Sequence, residues 1–181
     1  MDDPTEEFEA LCDATVLEYA ASATPRIWHQ MVMDWNWDSG LYFFQWLLNN
    51  PATDRATALM LYWMGGPRWF KQVANRTEAH ATKDPYISLK FFDFSEELEA
   101  KYAAGYFTNS HFAYDPAHDH DGYDWTKEYA DKVAVRAIPA IMFEKLSGET
   151  VEKPIGFVEG MPEPLATRID AMIDAFFDEE E

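Results

Sequence analysis

The chain has 181 residues, 14 basic and 33 acidic, for a formal net charge of −19, with 48% hydrophobic and 16% aromatic residues. Such a length and apolar content supply one domain with a core of its own and argue against general disorder. The negative balance repels phosphate and anionic lipid headgroups, which sets aside nucleic acid and membrane surfaces and makes a basic protein the expected partner.

Cys12 is the only cysteine, so an internal disulfide and a thiolate zinc cluster are both excluded. It falls on an apolar helical stripe and reads as a small hydrophobe. The opening MDDPTEEFEA lacks the apolar stretch of a secretory signal, and no apolar run approaches the roughly 18 residues of a membrane span. A cytoplasmic location is expected.

Along the chain, Asp3-Pro4-Thr5-Glu6 reads as a helix start, with Asp3 as cap and Pro4 at the first position. Phe8, Leu11, Cys12, Thr15, Tyr19 and Ala20 follow at three-and-four spacing. Thr24-Pro25 repeats the signal before Ile27, Trp28, Met31, Val32 and Trp35. A turn over Trp37–Gly40 leads to a short helix from Leu41 to Leu48. Asn49-Asn50-Pro51 breaks it, and Thr53 or Asp54 caps the next. Ala56–Met64 is apolar nearly all round and is expected at the centre of the fold. Gly65-Gly66-Pro67 ends it, and Trp69, Phe70 and Val73 suggest one more short helix.

Residues 75–85 read as a polar connection. The period of 85–94 fits helix and strand alike. Ser95 is expected to cap a helix running to about Tyr106, with Glu96, Glu97 and Glu99 on its solvated side. A loop over 107–122 and a helix over Tyr123–Val133 follow. A β-hairpin is expected from Ala137–Leu146 and Thr150–Val158 around Ser147-Gly148-Glu149, and Pro164 opens a final helix whose face is Leu165, Ile169, Met172, Ile173 and Phe176. The acidic tail Asp178–Glu181 is poorly placed at a helix end and is expected to fray. The fold class is therefore mainly α: a compact helical bundle or stacked helical hairpins with a small C-terminal β-hairpin. One domain over 1–181 is expected, with a helical part to about residue 78 and an extension from about 79.

The motifs of Trp35–Trp69 are Trp35-Asn36-Trp37-Asp38-Ser39-Gly40, Asn50-Pro51, and Thr57-Ala58-Leu59 with Tyr62-Trp63. In these the block resembles the bacterial domain-of-unknown-function family numbered 4274. A cysteine usual near the Asn-Pro step is replaced here by the Thr53-Asp54 region. The resemblance implies a helical fold and no assigned activity, and so transfers no catalytic residue. Small acidic proteins of such families often resemble immunity proteins, which neutralise bacterial toxins. The residues themselves read as architecture: Asn36 and Asp38 bond turn amides, and Trp35, Trp37, Tyr62 and Trp63 fill space between helices.

The richest chemistry lies in Asp115–Glu128, DPAHDHDGYDWTKE. With Gly122 at the sixth position of a calcium loop, Asp119, Asp121 and Glu128 fall at the third, fifth and twelfth. Ala117 then stands where an acid is needed. A transition metal is offered His118 and His120 with Asp119, Asp121 or Asp124. The simpler reading is a solvated acidic loop serving as a contact surface, in which Asp119, Asp121, Asp124 and Glu128 engage Arg or Lys and Tyr123 and Trp125 act as anchors. His29, His80 and His111 have no nucleophile pattern beside them, and Gly65-Gly66 lacks the Lys-Ser/Thr of a phosphate loop, so no cofactor is expected. The leading expectation is a non-enzymatic acidic module binding a basic protein, a toxin in the immunity reading. The alternatives are a metal-dependent hydrolase built on His118 and His120, and a helical adaptor.

Overall fold

The computed structural model describes residues 4–178; the Asp3 cap and the last three residues of the acidic tail lie outside them. Among the described residues there are eight α-helices and one two-stranded sheet, and none of these helices is long and apolar enough to cross a membrane. The mainly helical architecture with a small C-terminal hairpin follows the sequence pattern. The chain forms two compact units, one of residues 1–46 with 153–181 and the other of residues 47–152.

In the first unit, α1 (Pro4–Ser22) turns Thr15, Val16 and Ala20 inward. Leu11, on the expected apolar stripe, is instead 56% exposed. The Thr24 hydroxyl accepts from the Ile27 amide at 3.4 Å and starts α2 (Pro25–Asp34), with Pro25 in the first turn where its missing N–H costs nothing. The Trp28 indole donates to the Ala20 carbonyl at 2.8 Å and ties the two helices together. The Asn36 side chain accepts from the Asp38 amide and opens a single 3-10 turn over Trp37–Ser39. Buried Trp35 packs on Tyr42, Phe43 and Phe44.

The hairpin consists of β1 (Phe157–Val158) and β2 (Met161–Pro162), antiparallel, with Val158 opposite Met161. Its two turn residues, Glu159 and Gly160, both have positive φ, as tight hairpin turns require. The final helix α8 (Glu163–Asp178) lies along α1, with Phe176 stacked on Phe8 at 4.3 Å. Leu165, Ala166 and Ile169 are its buried face, while Ile173 is 37% exposed.

The division between units falls inside α3 (Tyr42–Asn49). In the second unit, of the two candidate caps Asp54 starts the next helix and Thr53 bonds back to the preceding one. The Thr53 hydroxyl donates to the Leu47 carbonyl at 2.8 Å, and Asp54 accepts from the Ala56 amide at 2.9 Å to start α4 (Arg55–Met64). Residues Ala56–Trp63 are buried without interruption, as the all-round apolar pattern of α4 demands. Gly66, left-handed at φ 64°, turns the chain into the short α5 (Pro67–Phe70).

The polar connection after it contains a helix, α6 (Arg76–Ala81). Reciprocal capping supports it: Asn75 accepts from the Glu78 amide, and the Glu78 carboxylate accepts from the Ala74 amide. Ser95 caps nothing. It lies buried within α7 (Leu89–Ala103), because Phe92, Phe94, Leu98 and Tyr102 carry one apolar face through it.

Two further expectations are corrected. Tyr123–Val133 is not a helix; it contains one 3-10 turn over Trp125–Lys127, and Tyr129 sits at φ 53°. The segments on either side of Ser147-Gly148-Glu149 do not pair with each other. Ala140–Phe143 is a 3-10 turn, and the loop pairs instead with residues 111–114 through Tyr114–Leu146 and Phe112–Glu149 bridges. Gly148 permits that closure, since a Cβ there would stand 2.3 Å from the His111 carbonyl oxygen.

Candidate partner-binding face

The loop 115–128 is organised from within by one carboxylate. Asp119, 8% exposed, accepts from the Tyr123 amide at 2.8 Å and the Asp121 amide at 2.9 Å on one oxygen, and from the Trp125 indole at 2.6 Å on the other. Its own amide donates to the Tyr123 carbonyl, which closes the turn, and Gly122 supplies the left-handed residue at φ 78°. Three N–H donors on one charged acceptor make a rigid turn.

On this frame Tyr123 is 46% exposed, lies edge-to-face with Trp125 at 4.8 Å, and donates from its hydroxyl to Glu128 at 3.3 Å. Burial pushes the Glu128 carboxyl above the usual range, partly opposed by the Tyr123 hydrogen bond. Asp124 caps the 3-10 turn through Thr126 and pairs with Lys127 at 2.7 Å. The Lys127 hydrogen bond, followed by that from Thr126, holds its carboxyl below the usual range. Asp121 lies 3.4 Å from the His120 ring and is largely exposed.

The six expected contact residues are thus gathered on one loop in different roles. Tyr123 and Asp121 are offered outward, Glu128 is half-buried and accepts from Tyr123, and Asp119, Asp124 and Trp125 build the turn. His118, His120, Asp119 and Asp121 do not converge: among the described residues no group of three or more His, Cys, Asp or Glu side chains is placed to hold a metal ion.

A charged cluster lies elsewhere in the same unit. Lys71, 1% exposed, donates to Glu96 and Glu99, each at 2.9 Å. Glu99 also accepts from the Tyr62 hydroxyl, and Arg136 binds Glu96 together with the carbonyls of Phe70 and Val73. Burial raises the Glu96 pKa, but Arg136 and then Lys71 outweigh it and leave the carboxyl below the ordinary glutamate range. The expectation that Glu96 and Glu99 lie on the solvated side of their helix is therefore corrected. Glu97, paired with Lys101 at 2.8 Å, is the member that faces water.

A second group joins Arg55, Tyr102 and Glu144, with the Tyr102 hydroxyl and the Arg55 guanidinium converging on one carboxylate oxygen. Buried Asp54 accepts from the His111 amide at 2.7 Å. The three-residue spacing of Glu96 and Glu99, which puts them on one helix face, was the available local signal; their partners are distant in sequence.

These are the groups of a mainly helical protein that uses charge to fasten its irregular segments to its helices. Residues 23–103 match the family model described as Domain of unknown function (DUF4274), and this segment belongs to that family. No curated protein and no solved structure matches the chain.

Proposed function

We propose that the chain is a non-catalytic module that docks a basic protein, acting in the cytoplasm as an immunity protein does when it occludes a toxin. The observation that carries this reading is the loop 115–128, where Asp119 holds a rigid turn and Tyr123 stands exposed beside Asp121 and Glu128. A turn already ordered loses little entropy on binding. An aromatic ring that excludes water strengthens the attraction of neighbouring carboxylates for Arg or Lys. The net charge of −19 draws a basic protein in and speeds encounter. The donor set favours docking over metal-assisted hydrolysis, because both Asp119 oxygens already accept N–H groups of the loop.

The test is affinity capture from a bacterial lysate, with the chain immobilised and a variant reversing Asp121, Asp124 and Glu128 to Lys run beside it. Wild type should retain a basic protein that salt elutes, and the variant should lose it. Retention of the same proteins by both would remove the loop from the mechanism. Retention of no basic protein would favour a helical adaptor whose charge serves solubility.

A further inference from the structure

A second aromatic surface adjoins the loop. Trp69 is stacked by Tyr86, with ring centroids 4.9 Å apart and planes 28° apart, and is flanked by Tyr129 at 5.2 Å. Tyr86 is 67% exposed and Tyr129 39%. The ammonium of Lys132 stands over the indole, 4.2 Å from its centroid.

Both Tyr129 and Lys132 come from one tight turn, closed by the Lys132 amide on the Tyr129 carbonyl at 3.0 Å. Tyr129 holds φ 53°, a left-handed conformation that a bulky side chain rarely adopts. Gly66 lies against the assembly, since a Cβ there would be in ordinary contact with it, 3.4 Å from the Trp69 ring and 3.6 Å from that of Tyr129. The face is tied to the loop by the chain, since Glu128, the acceptor for Tyr123, immediately precedes Tyr129, and by Arg68, next to Trp69, which donates to the Thr126 carbonyl at 2.6 Å.

We propose that the Trp69–Tyr86–Tyr129 face is a cation cradle for an arginine side chain of the basic partner, and that Lys132 is its resident occupant, displaced on docking. The inference rests on the basic-partner reading above and names where one of the partner's cations sits. A tryptophan face is the strongest cation acceptor among aromatic side chains, and Lys132 already occupies it. A planar guanidinium stacks on an indole and is less strongly hydrated than the ammonium it replaces, which gives the exchange its direction. Glu128 precedes Tyr129 and Asp131 follows two residues later, so the segment that carries the cradle is itself acidic.

The experiment titrates the full chain with a hexa-arginine peptide, following affinity by calorimetry and the Trp69 indole resonance by NMR, assigned from its loss in Trp69→Phe. Lys132→Ala empties the cradle. Lys90→Ala, at an exposed site on α7, removes the same charge elsewhere. Lys132→Ala should tighten binding about two- to fivefold beyond Lys90→Ala, a magnitude set by exposed cation–π contacts. Tyr86→Ala, whose ring is mostly in solvent, should cancel that gain. The Trp69 resonance should shift on titration of the wild type. Equal effects of the two lysine variants, or an unmoved Trp69 resonance, would overturn the cradle. If binding were then still weakened by Tyr123→Ala with Glu128→Gln, the docking loop would stand without it. Absence of any hexa-arginine binding would overturn both.

Discussion

Asp119 and Lys71 are both enclosed, but they bear on different properties. Asp119 organises a loop, so Asp119→Ala should free the Tyr123 and Asp121 amides to exchange and lower stability by about 1–3 kcal/mol, the usual cost of orphaned hydrogen-bond donors. Hydrogen exchange and urea unfolding measure the two effects. Lys71 neutralises two carboxylates, Glu99 largely enclosed and Glu96 partly exposed. Lys71→Met should cost about 3–5 kcal/mol, since removing one member of a buried ion cluster leaves charge uncompensated. Adding Glu99→Leu should recover part of that loss, a coupling that a double-mutant cycle in urea reads directly. Glu96 and Glu128 should respond to pH with opposite sign. The Glu96 pKa is depressed in the folded state, so its contribution is present above the ordinary glutamate range and is lost as pH falls through the folded value. The Glu128 pKa is raised by burial, so its charged form opposes folding at neutral pH and protonation relieves this. Glu96→Gln should therefore destabilise at pH 7 and have a shrinking effect in acid. Glu128→Gln should stabilise at pH 7 and be neutral once the wild-type carboxyl is protonated. Thermal unfolding at several pH values separates them.

At the scale of elements, the hairpin β1–β2 hangs on Gly160. Its φ of 81° already disfavours a side chain, and a Cβ would lie 2.6 Å from the Trp35 Cα and 2.8 Å from the Met31 carbonyl oxygen. Gly160→Ala should lower stability by about 1–3 kcal/mol, through strain and overpacking together. Gly156→Ala, also at positive φ but with open space around it, should cost less, and melting temperatures rank the two. Helices α2 and α4 were legible because their caps and spacing are local: Thr24-Pro25, Asp54 and the apolar run to Trp63 each announce themselves within one turn, whereas α7 begins after Ser88 with no side-chain cap bond to mark it. The irregular elements were not legible. Tyr123–Val133 carries helix-compatible residues, but Asp124 spends its carboxylate on Thr126 and Lys127, and Tyr129 turns left-handed against Trp69. The Ser147–Glu149 loop has hairpin residues and finds its hydrogen bonds at 111–114 instead. Of the candidate face, the loop and its residue types were readable. The separation of Asp119 as organiser from Tyr123 and Asp121 as presented groups was not, since it depends on which carboxylate the Trp125 indole reaches.

For the molecule as a whole, 33 acidic against 14 basic side chains means self-repulsion opposes the folded state. Screening should relieve it, so the melting temperature should rise between about 0.01 M and about 0.5 M sodium chloride, where the Debye length falls from about 30 Å to a few ångström. A falling melting temperature would mean that the ion pairs of Lys71 and Arg55 outweigh the general repulsion. The family segment 23–103 does not satisfy its own interior. Asp54 holds the His111 amide, Arg55 meets Glu144, the Trp63 indole donates to the Met142 carbonyl, and Glu96 binds Arg136. Every one of these partners lies downstream of residue 103. Any other protein that carries this segment ahead of a different sequence inherits four open valences at the places of Asp54, Arg55, Trp63 and Glu96. It must either refit those positions or bring a tail that folds back to meet them, so which residues stand there in a relative reports whether its downstream chain follows the same path.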